Sequence, residues 1–534
     1  MTSLNDREAF DFIIIGGGSA GGMLLDRLSQ NPDQRVLLLE AGGSDRHWST
    51  RIPAGSRFTY SGGARNWCFE TEPEPFMNNR RLFQPRGKVL GGSSSLNGMV
   101  YVRGNARDFD AWAEGGATGW SYADVLPAFK SIETYHPGAD DFRGGDGPIQ
   151  VTRHEGLHAI EEAFLSAAQQ AGYERPADYN GASQDGFAPF DANFHAGYRS
   201  GTGAACIEPA MARPNVTVRT NAFATRVVFE GTRAVGVDYV RGDKAYTVRA
   251  DREVVLAAGA FQSPQLLMLS GVGPADHLKS HGIHVVQDLP GVGQNLQDHL
   301  EIHVKHRCGR GLSNNHLMSW PRMALAGVQW ALFKTGPAAI SHSRVGGFVP
   351  LDSDSNRLNG QFHFWPYYLE GWSPPPDKDG YTFDVGPVLS ESRGTVTLRS
   401  ADPAAAPRIQ LNGLSTDKDL AEFRAAIRMA RDIAAQSAFD FCRGPETFPG
   451  PDVASNDDLN AVIRAHANSA YHPCGTCKMG TDEQSVTNPT LRVHGIEHLR
   501  IADASVMPTV TAGNINAPCF MIGARAADFI NIPM

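Results

Sequence analysis

The sequence predicts an α/β fold in which one parallel-sheet domain is assembled from separated stretches and interrupted by a second domain based on an antiparallel sheet. Three observations predict it. Residues 11–22, DFIIIGGGSAGG, run from four consecutive apolar residues into glycines. Residues 253–259, EVVLAAG, and 499–503, LRIAD, repeat the pattern of a short apolar strand ending in a turn or an acid. Between those two, from about 300 to 465, aromatic residues become dense, as at Phe362, Phe364, Trp365, Tyr367 and Tyr368, and short strands alternate with loops. A short apolar run bounded by turn residues reads as a buried parallel strand; alternation reads as a half-buried antiparallel one.

The first stretch carries the most chemistry. Gly16, Gly18 and Gly21 fall on the G-x-G-x-x-G pattern, and Met23, Leu24, Leu25 and Leu28 follow at helical spacing. Strand, tight turn and helix therefore come in order. Gly16 permits the turn, Gly18 lets backbone approach a pyrophosphate, and Gly21 lets helix pack close to strand. Phosphates would sit at the helix N-terminus, where free N–H groups and the dipole favour negative charge. A second apolar strand, VLLLE at 36–40, ends in Glu40. An acid about 20 residues past the loop accepts hydrogen bonds from ribose hydroxyls. Its charge disfavours a 2′-phosphate. The opening unit is thus a Rossmann-like βαβ for FAD or NAD rather than NADP.

The remaining elements follow in order. Residues 86–98, RGKVLGGSSSLNG, form a second Gly/Ser-rich loop, anchored by Val89, Leu90 and Leu96, that brings backbone donors close to a ligand. Short helices are expected at 108–112 and 122–129, and a clearer one at 158–171 with Ile160, Phe164 and Ala168 on one face. Residues 216–219, 226–229 and 234–239 alternate like strands of a small antiparallel sheet. A helix at 263–270 follows the strand at 253–259, and the loop PGVGQNLQD at 290–298 enters a new region. A short strand at 394–399 and helices at 417–436 and 518–530 complete the pattern. Ligands bind open α/β sheets at the carboxyl ends of the strands, so the loops near 16, 91, 259 and 503 should converge there.

Bulk properties bound the function. A chain of 534 residues is long enough for about three domain-sized pieces. A hydrophobic fraction of 41% with 20% charged residues is ordinary for a soluble globular protein. The net charge of −9 and pI near 6.1 argue against nucleic acid or anionic membrane as the main partner. Seven widely spaced cysteines do not make a disulfide framework and fit a reducing compartment. The N-terminus lacks a charged leader followed by an apolar core, so no secretory signal is expected. The longest apolar stretches, 254–272 and 323–340, are interrupted by Gln262, Pro264 and Gln265, and by Gln329, Lys334 and Pro337, and do not read as membrane spans. The expected location is cytoplasmic, with peripheral membrane attachment left open.

Seven motifs, GGGSAG (16–21), NWCFETEPEP (66–75), RGKVLGGSSSLNGMVYVRG (86–104), GAFQSPQLLMLSGVG (259–273), GVGQNLQDH (291–299), YHPCGTCKMG (471–480) and ADASVMPTVTAGNINAPCFMIGARAAD (502–528), cover nearly the whole chain. Together they resemble the glucose-methanol-choline (GMC) oxidoreductases, and specifically their bacterial choline dehydrogenase and sorbose dehydrogenase-like branch. The resemblance implies a discontinuous FAD-binding domain at 1–155, 195–300 and 466–534 and an inserted substrate-binding domain at 156–194 and 301–465. It implies that FAD meets Gly16, Gly18, Ser19, Ala20, Gly21, Glu40 and Ala41, then Trp67. Arg86, Gly87, Leu90, Gly91, Ser93, Ser94, Asn97, Gly98, Met99 and Val100 would run along the flavin and pyrophosphate. The Val227 backbone would meet the adenine, and Ala258, Gly259, Tyr471, Asp503, Ala504, Asn516 and Ala517 would complete the cofactor wall. Some relatives bond a histidine of the flavin loop covalently to FAD; Leu96 stands at that position here, so non-covalent FAD is expected.

An alcohol gives up hydride readily only once its hydroxyl proton is removed. The reaction needs a base, a hydrogen-bond partner for the developing alkoxide, and a dry pocket over the flavin. Histidine suits the base role. The resemblance assigns it to His472, whose direction Pro473 would restrict, and assigns the second catalytic position to Asn516. His363, Trp365 and Tyr471 are expected on the substrate side. Arg344 occupies about the place where choline dehydrogenases usually carry an acid before Gly-Gly-Phe, in SHSRVGGF (341–348). An arginine there would repel a quaternary ammonium and leave neutral or anionic alcohols, sugars, polyols and aromatic alcohols. Cys474 and Cys477 form a C-x-x-C without a second pair, so no metal site is expected. The expected activity is FAD-dependent oxidation of a primary or secondary alcohol to aldehyde or ketone, with hydride transfer to flavin N5. The alternatives are choline dehydrogenase proper, a peroxide-producing alcohol oxidase and, in another class, a non-redox hydroxynitrile lyase. The residues do not choose the electron acceptor (quinone, dye-like acceptor or oxygen) and leave a homodimer open.

Overall fold

The computed structural model describes residues 8–60, 62–341, 343–352, 357–371 and 373–532. Its helices that matter for the site are α1 (Ser19–Leu28), α2 (Ala159–Gln170), α3 (Gly259–Leu269), α4 (Trp320–Phe333), α5 (Asp417–Ala435) and α6 (Asn516–Asn531). Among the described residues, two seven-stranded sheets organise them.

The first sheet runs in the order Val216–Arg219, Val36–Leu39, Ala9–Ile15, Lys244–Leu256, Arg233–Arg241, Ala222–Glu230, with Leu499–Ile501 also paired to Lys244–Leu256. Residues Phe12 to Ile15 and Val36 to Leu39 are buried, which is what continuous apolar runs in a parallel sheet covered on both faces require. The parallel pairs end together: Ile15 faces Leu39 and Leu256, and Leu256 faces Ile501. Four turns therefore leave the same edge of the sheet. Two glycines hold the first of them. Gly16 has φ +103°, and a Cβ there would meet Ala257 O at 2.5 Å; a Cβ on Gly21 would meet Gly16 O at 2.0 Å.

One expectation changes. Val216–Arg219 is not part of a separate antiparallel sheet; it pairs in parallel with Val36–Leu39. The hairpin Ala222–Glu230/Arg233–Arg241 is antiparallel, but it continues the same sheet through Lys244–Leu256. That strand is 13 residues long, antiparallel to the hairpin over its first half and parallel to Ala9–Ile15 over its second. Alternation reports which faces are covered and not the direction of the neighbour, so periodicity alone could not distinguish these pairings.

The second sheet is antiparallel, in the order Glu446–Phe448, Leu300–Arg307, Gly380–Pro387, Gly360–Trp365, Val345–Val349, Gly186–Pro189, with Asn468–Ser469 also paired to Leu300–Arg307. Its inner face buries Ile302, Val304, Phe362, Phe364, Phe383 and Val385 together with Phe164 of α2 and Phe423 and Ile427 of α5. A fully buried side chain of this size contributes roughly 1.5–3 kcal/mol relative to exposure. The other face is polar. His303 and His363 both stand opposite Asp384 in register, one from each neighbouring strand, and Glu301 lies two positions before His303. Among the described residues no helix is long and apolar enough to cross a membrane.

Candidate active site

The carboxyl edge of the first sheet and the polar face of the second enclose a cavity of about 1120 Å³. Three helices, α1, α3 and α6, begin at it; the first turns of α1 and α6 carry no side-chain cap, while Gly259 N of α3 donates to Asp503 Oδ2 at 2.9 Å. The unsatisfied N–H groups and dipoles of α1 and α6 favour an anionic group there. Gly18 is open, with no atom within 4 Å of a Cβ built on it, so backbone can be approached closely. Glu40 accepts from Gly42 N at 2.7 Å and from Gly17 N at 2.9 Å. Its carboxylate thus fixes the glycine loop as well as lining the cavity. Burial pushes its pKa up to about 7 against those two bonds. Asn516 accepts from Ser19 Oγ at 2.8 Å, tying the first turn of α6 to that of α1, while its Nδ2 is buried without a partner. Small residues, open N-termini and an unused buried donor fit a dinucleotide of FAD size.

Most of the expected cofactor residues line this cavity: Gly16, Gly18, Ser19, Ala20, Glu40, Ala41, Trp67, Arg86, Gly87, Ser93, Asn97, Gly98, Met99, Val100, Ala258, Gly259, Tyr471, Asp503, Ala504 and Asn516. Six stand behind it. Gly21 provides the close approach of α1 to the strand. Gly91, at φ +85°, makes the turn before the 3₁₀ segment Gly92–Ser95, and Ser94 Oγ closes that turn on Gly91 O. Leu90 and Ala517 are buried packing residues. Val227 is the clearest departure: its N–H is already bonded to Ser270 Oγ at 2.9 Å. Ala222, Phe223 and Ala224, at the start of the same strand, line the cavity instead.

A connected polar cluster in the cavity centres on His472. Its backbone N–H donates to Asp298 Oδ1 at 2.7 Å, and Ser469 Oγ at 2.5 Å and Gln84 Nε2 at 3.3 Å donate to Asp298 Oδ2. Arg86 Nη2 donates to Tyr471 O at 2.8 Å, holding a residue with φ +67° just before it. The His472 ring lies between His299 and Asn514: Nδ1 is 3.0 Å from His299 Nδ1, and Nε2 is 3.1 Å from Asn514 Nδ2. His299 Nε2 is 3.0 Å from Val388 O. A carbonyl can only accept, so His299 carries its proton on Nε2 and its Nδ1 must accept. His472 Nδ1 therefore donates, and its Nε2 presents a lone pair toward Asn514. Burial keeps both rings neutral: His299 is held down to about 4, and His472 well below the usual histidine value, with the neighbouring His299, His363 and Arg86 adding to the effect.

Asn516 does not reach this ring. Residues 514 and 516 straddle the start of α6, so their side chains leave in different directions; Asn514, from the loop before it, is the amide beside His472. The sequence motif GNINAP contains both, and spacing could not choose. His299 lies in the GVGQNLQDH motif, where nothing local distinguishes it from its neighbours.

On the substrate side His363, Trp365 and Tyr471 line the cavity. His363 Nδ1 is 3.0 Å from Ser343 Oγ, and burial holds its pKa down to about 4. Arg344 overturns the expected repulsion. It is buried and paired with Glu161 of α2, Nε to Oε1 at 3.1 Å and Nη2 to Oε2, with Nη1 on Gly156 O at 3.2 Å. Its charge is neutralised at source, and the sequence could not show a partner 183 residues away. Two carboxyls not singled out earlier, Glu301 and Asp384, line the same cavity. Burial pushes Asp384 up to about 7, and burial with Asp384 alongside raises Glu301 well above the usual carboxylate range. Tyr60 and Tyr471 complete this corner, ring centroids 5.5 Å apart.

Comparison with known proteins agrees with this geometry. Two family models described as GMC oxidoreductase match residues 10–301 and 390–523. The oxygen-dependent choline dehydrogenase of Brucella suis biovar 1 (strain 1330) is 46% identical over 523 residues, covering 97% of this chain and 95% of that protein. Among solved structures, the formate oxidase of Aspergillus oryzae RIB40 superposes with a TM-score of 0.91 at 28% identity, covering 98% of each chain. An FAD-dependent oxidoreductase from Chaetomium thermophilum gives 0.89 at 27%, covering 98% of this chain and 99% of that one.

Proposed function

The chain belongs to the GMC oxidoreductase family and is an FAD-dependent oxidoreductase acting on CH–OH donors; on that premise we propose that His472 is its proton acceptor and Asn514 its donor to the substrate oxygen. The carrying observation is the relay His299–His472–Asn514, in which Asn514 Nδ2 donates to the neutral His472 Nε2 at the cavity wall. An alcohol oxygen that displaces this bond gives its proton to Nε2 and accepts from Nδ2. The electron density left on oxygen then assists departure of hydride from the carbinol carbon. Bound FAD supplies the acceptor for that hydride. The first sheet and its helices hold the cofactor, and the second sheet supplies the substrate wall. Leu96 lines the cavity and has no nucleophilic atom, which supports non-covalent FAD.

A second reading concerns the substrate. With Arg344 neutralised by Glu161, the corner formed by Glu301, Asp384, Tyr60 and Tyr471 favours an alcohol carrying a quaternary ammonium group, choline among them. Carboxylates attract the cation, and aromatic faces bind it when desolvated. The relatives named choline dehydrogenase support the same reading. The test is anaerobic flavin reduction by choline and by its neutral isostere 3,3-dimethylbutan-1-ol, with oxygen admitted afterwards to examine the acceptor. Bleaching by either supports alcohol oxidation, and a preference for choline supports the cationic subsite. If no alcohol in a broad panel bleaches the flavin, oxidation is overturned in favour of the lyase class.

A further inference from the structure

Helix α4 is unlike every other helix described above, because none of its 14 residues is buried. Its outward face is apolar: Leu325 is 67% exposed, Leu332 68% and Phe333 69%, and Trp320, 77% exposed, stands at the cavity rim. Its inward side is not packed on a core either. Met323, Ala326 and Gly327 line the active-site cavity, so the helix roofs that cavity with an apolar outer surface. A soluble surface helix has the reverse pattern.

The stretch of sequence that carries the helix is as uneven in charge. Residues 302–351 contain six basic residues, Lys305, Arg307, Arg310, Arg322, Lys334 and Arg344, and no Asp or Glu, in a chain whose net charge is −9. Arg344 is spent on Glu161. Arg322 lies on α4 itself, and Lys334 caps its C-terminus with Nζ 4.1 Å from the Trp330 ring and 5.6 Å from that of Tyr198. Cations and interfacial aromatics bordering an apolar helix face match a phospholipid surface, where phosphates meet the cations and the acyl boundary meets the apolar side chains. A second copy of the chain fits less well, since a twofold contact would bring Arg322 and Lys334 against the same cations.

We propose that α4 is a membrane-docking helix that lies in the plane of an anionic phospholipid surface and places the active-site roof against it. At 14 residues it is too short to cross a bilayer. The overall negative charge does not oppose this, because Arg322 lies on the helix and Lys334 at its C-cap.

The test is flotation of the FAD-loaded enzyme with vesicles of phosphatidylcholine, with and without phosphatidylglycerol. Wild type should float with the anionic vesicles. The double variant Leu325→Glu/Leu332→Glu should lose at least about tenfold in partitioning. Lys334→Gln, a milder change that leaves the apolar face intact, should lose roughly fivefold on anionic vesicles and little on neutral ones. Anaerobic flavin reduction by alcohol should be unchanged in both variants, which shows they are folded. Wild type remaining with the soluble fraction would overturn the proposal. So would variants that float like wild type, or a concentration-dependent dimer in light scattering that the double variant abolishes, which would assign the face to a second copy.

Discussion

The two walls of the cavity are built by different means. The cofactor wall is backbone: glycines at Gly16, Gly18 and Gly21, the uncapped N-termini of α1 and α6 and a carboxylate, Glu40, that spends both oxygens on N–H groups of its own loop. The substrate wall is side chains in long-range pairs: His472 with His299 and Asn514, Arg344 with Glu161, Glu301 with Asp384. The first kind of wall tolerates exchange of side chains and fails when backbone is obstructed. The second fails one proton or one charge at a time. Substitutions on the two walls should therefore separate cleanly, the first kind lowering FAD content and the second lowering turnover of an FAD-loaded enzyme.

The largest effect is expected at His472. His472→Ala removes the only base that the relay aims at the cavity, and flavin reduction should slow by a factor on the order of 10² to 10⁴ with FAD content unchanged. Stopped-flow reduction under anaerobic conditions measures it. A wild-type rate, or loss of FAD instead of rate, would erase the distinction between the walls at its strongest point.

Next come the two asparagines, which the geometry places on opposite walls. Asn514→Ala should cost about 10² in the reduction rate, as loss of one donor to a developing oxyanion does. Asn516→Ala should leave the rate of the loaded enzyme near wild type and lower FAD retention, because Asn516 bridges α6 to Ser19 of α1. If the two phenotypes are exchanged, the assignment of Asn514 to the substrate oxygen is wrong.

The same contrast explains what could be read before the structure. The cofactor wall was legible because each part is a local pattern: Gly16 to Gly21 lie within six residues, and Glu40 ends the next strand. Strand order was less legible, as Val216–Arg219 shows, because alternation does not encode the direction of a neighbour. The substrate wall was legible only through its motifs, and there with error. The resemblance points to Asn516, whereas Asn514 of the same GNINAP motif stands beside His472, and only the start of α6 separates the two. Arg344 looked like a free cation because Glu161 stands 183 residues earlier. Glu301 and Asp384 meet across two strands and leave no signature in either stretch.

Gly18 offers a milder break on the cofactor side. Its φ is −82° and no atom lies within 4 Å of a Cβ built there, so Gly18→Ala fits the fold itself. It should fold with an unchanged melting temperature as apoprotein and lose FAD affinity by about tenfold or more, since the added methyl occupies the space that a pyrophosphate needs. Gly21→Ala is the control: its Cβ would lie 2.0 Å from Gly16 O, so stability and FAD content should fall together. Fluorescence titration of FAD beside thermal melts distinguishes the two.

The smallest effect is a pH dependence confined to the substrate wall. Asp384 is pushed up to about 7 and Glu301 is raised as well, mainly by burial, so this pair is protonated and weakly charged in mild acid and becomes anionic as pH rises through about 7. The attraction for a cationic alcohol should grow in the same direction. KM for choline should therefore fall with rising pH, by at most about tenfold per unit for one linked proton. His472 is held well below the usual histidine value, so it stays neutral over this window and kcat should be flat. The neutral isostere should show a flat KM, and Glu301→Gln should weaken the slope for choline. Equal slopes for the charged and neutral alcohols would move the titration away from the carboxyl pair, and the cationic subsite would then have to be sought elsewhere on the second sheet.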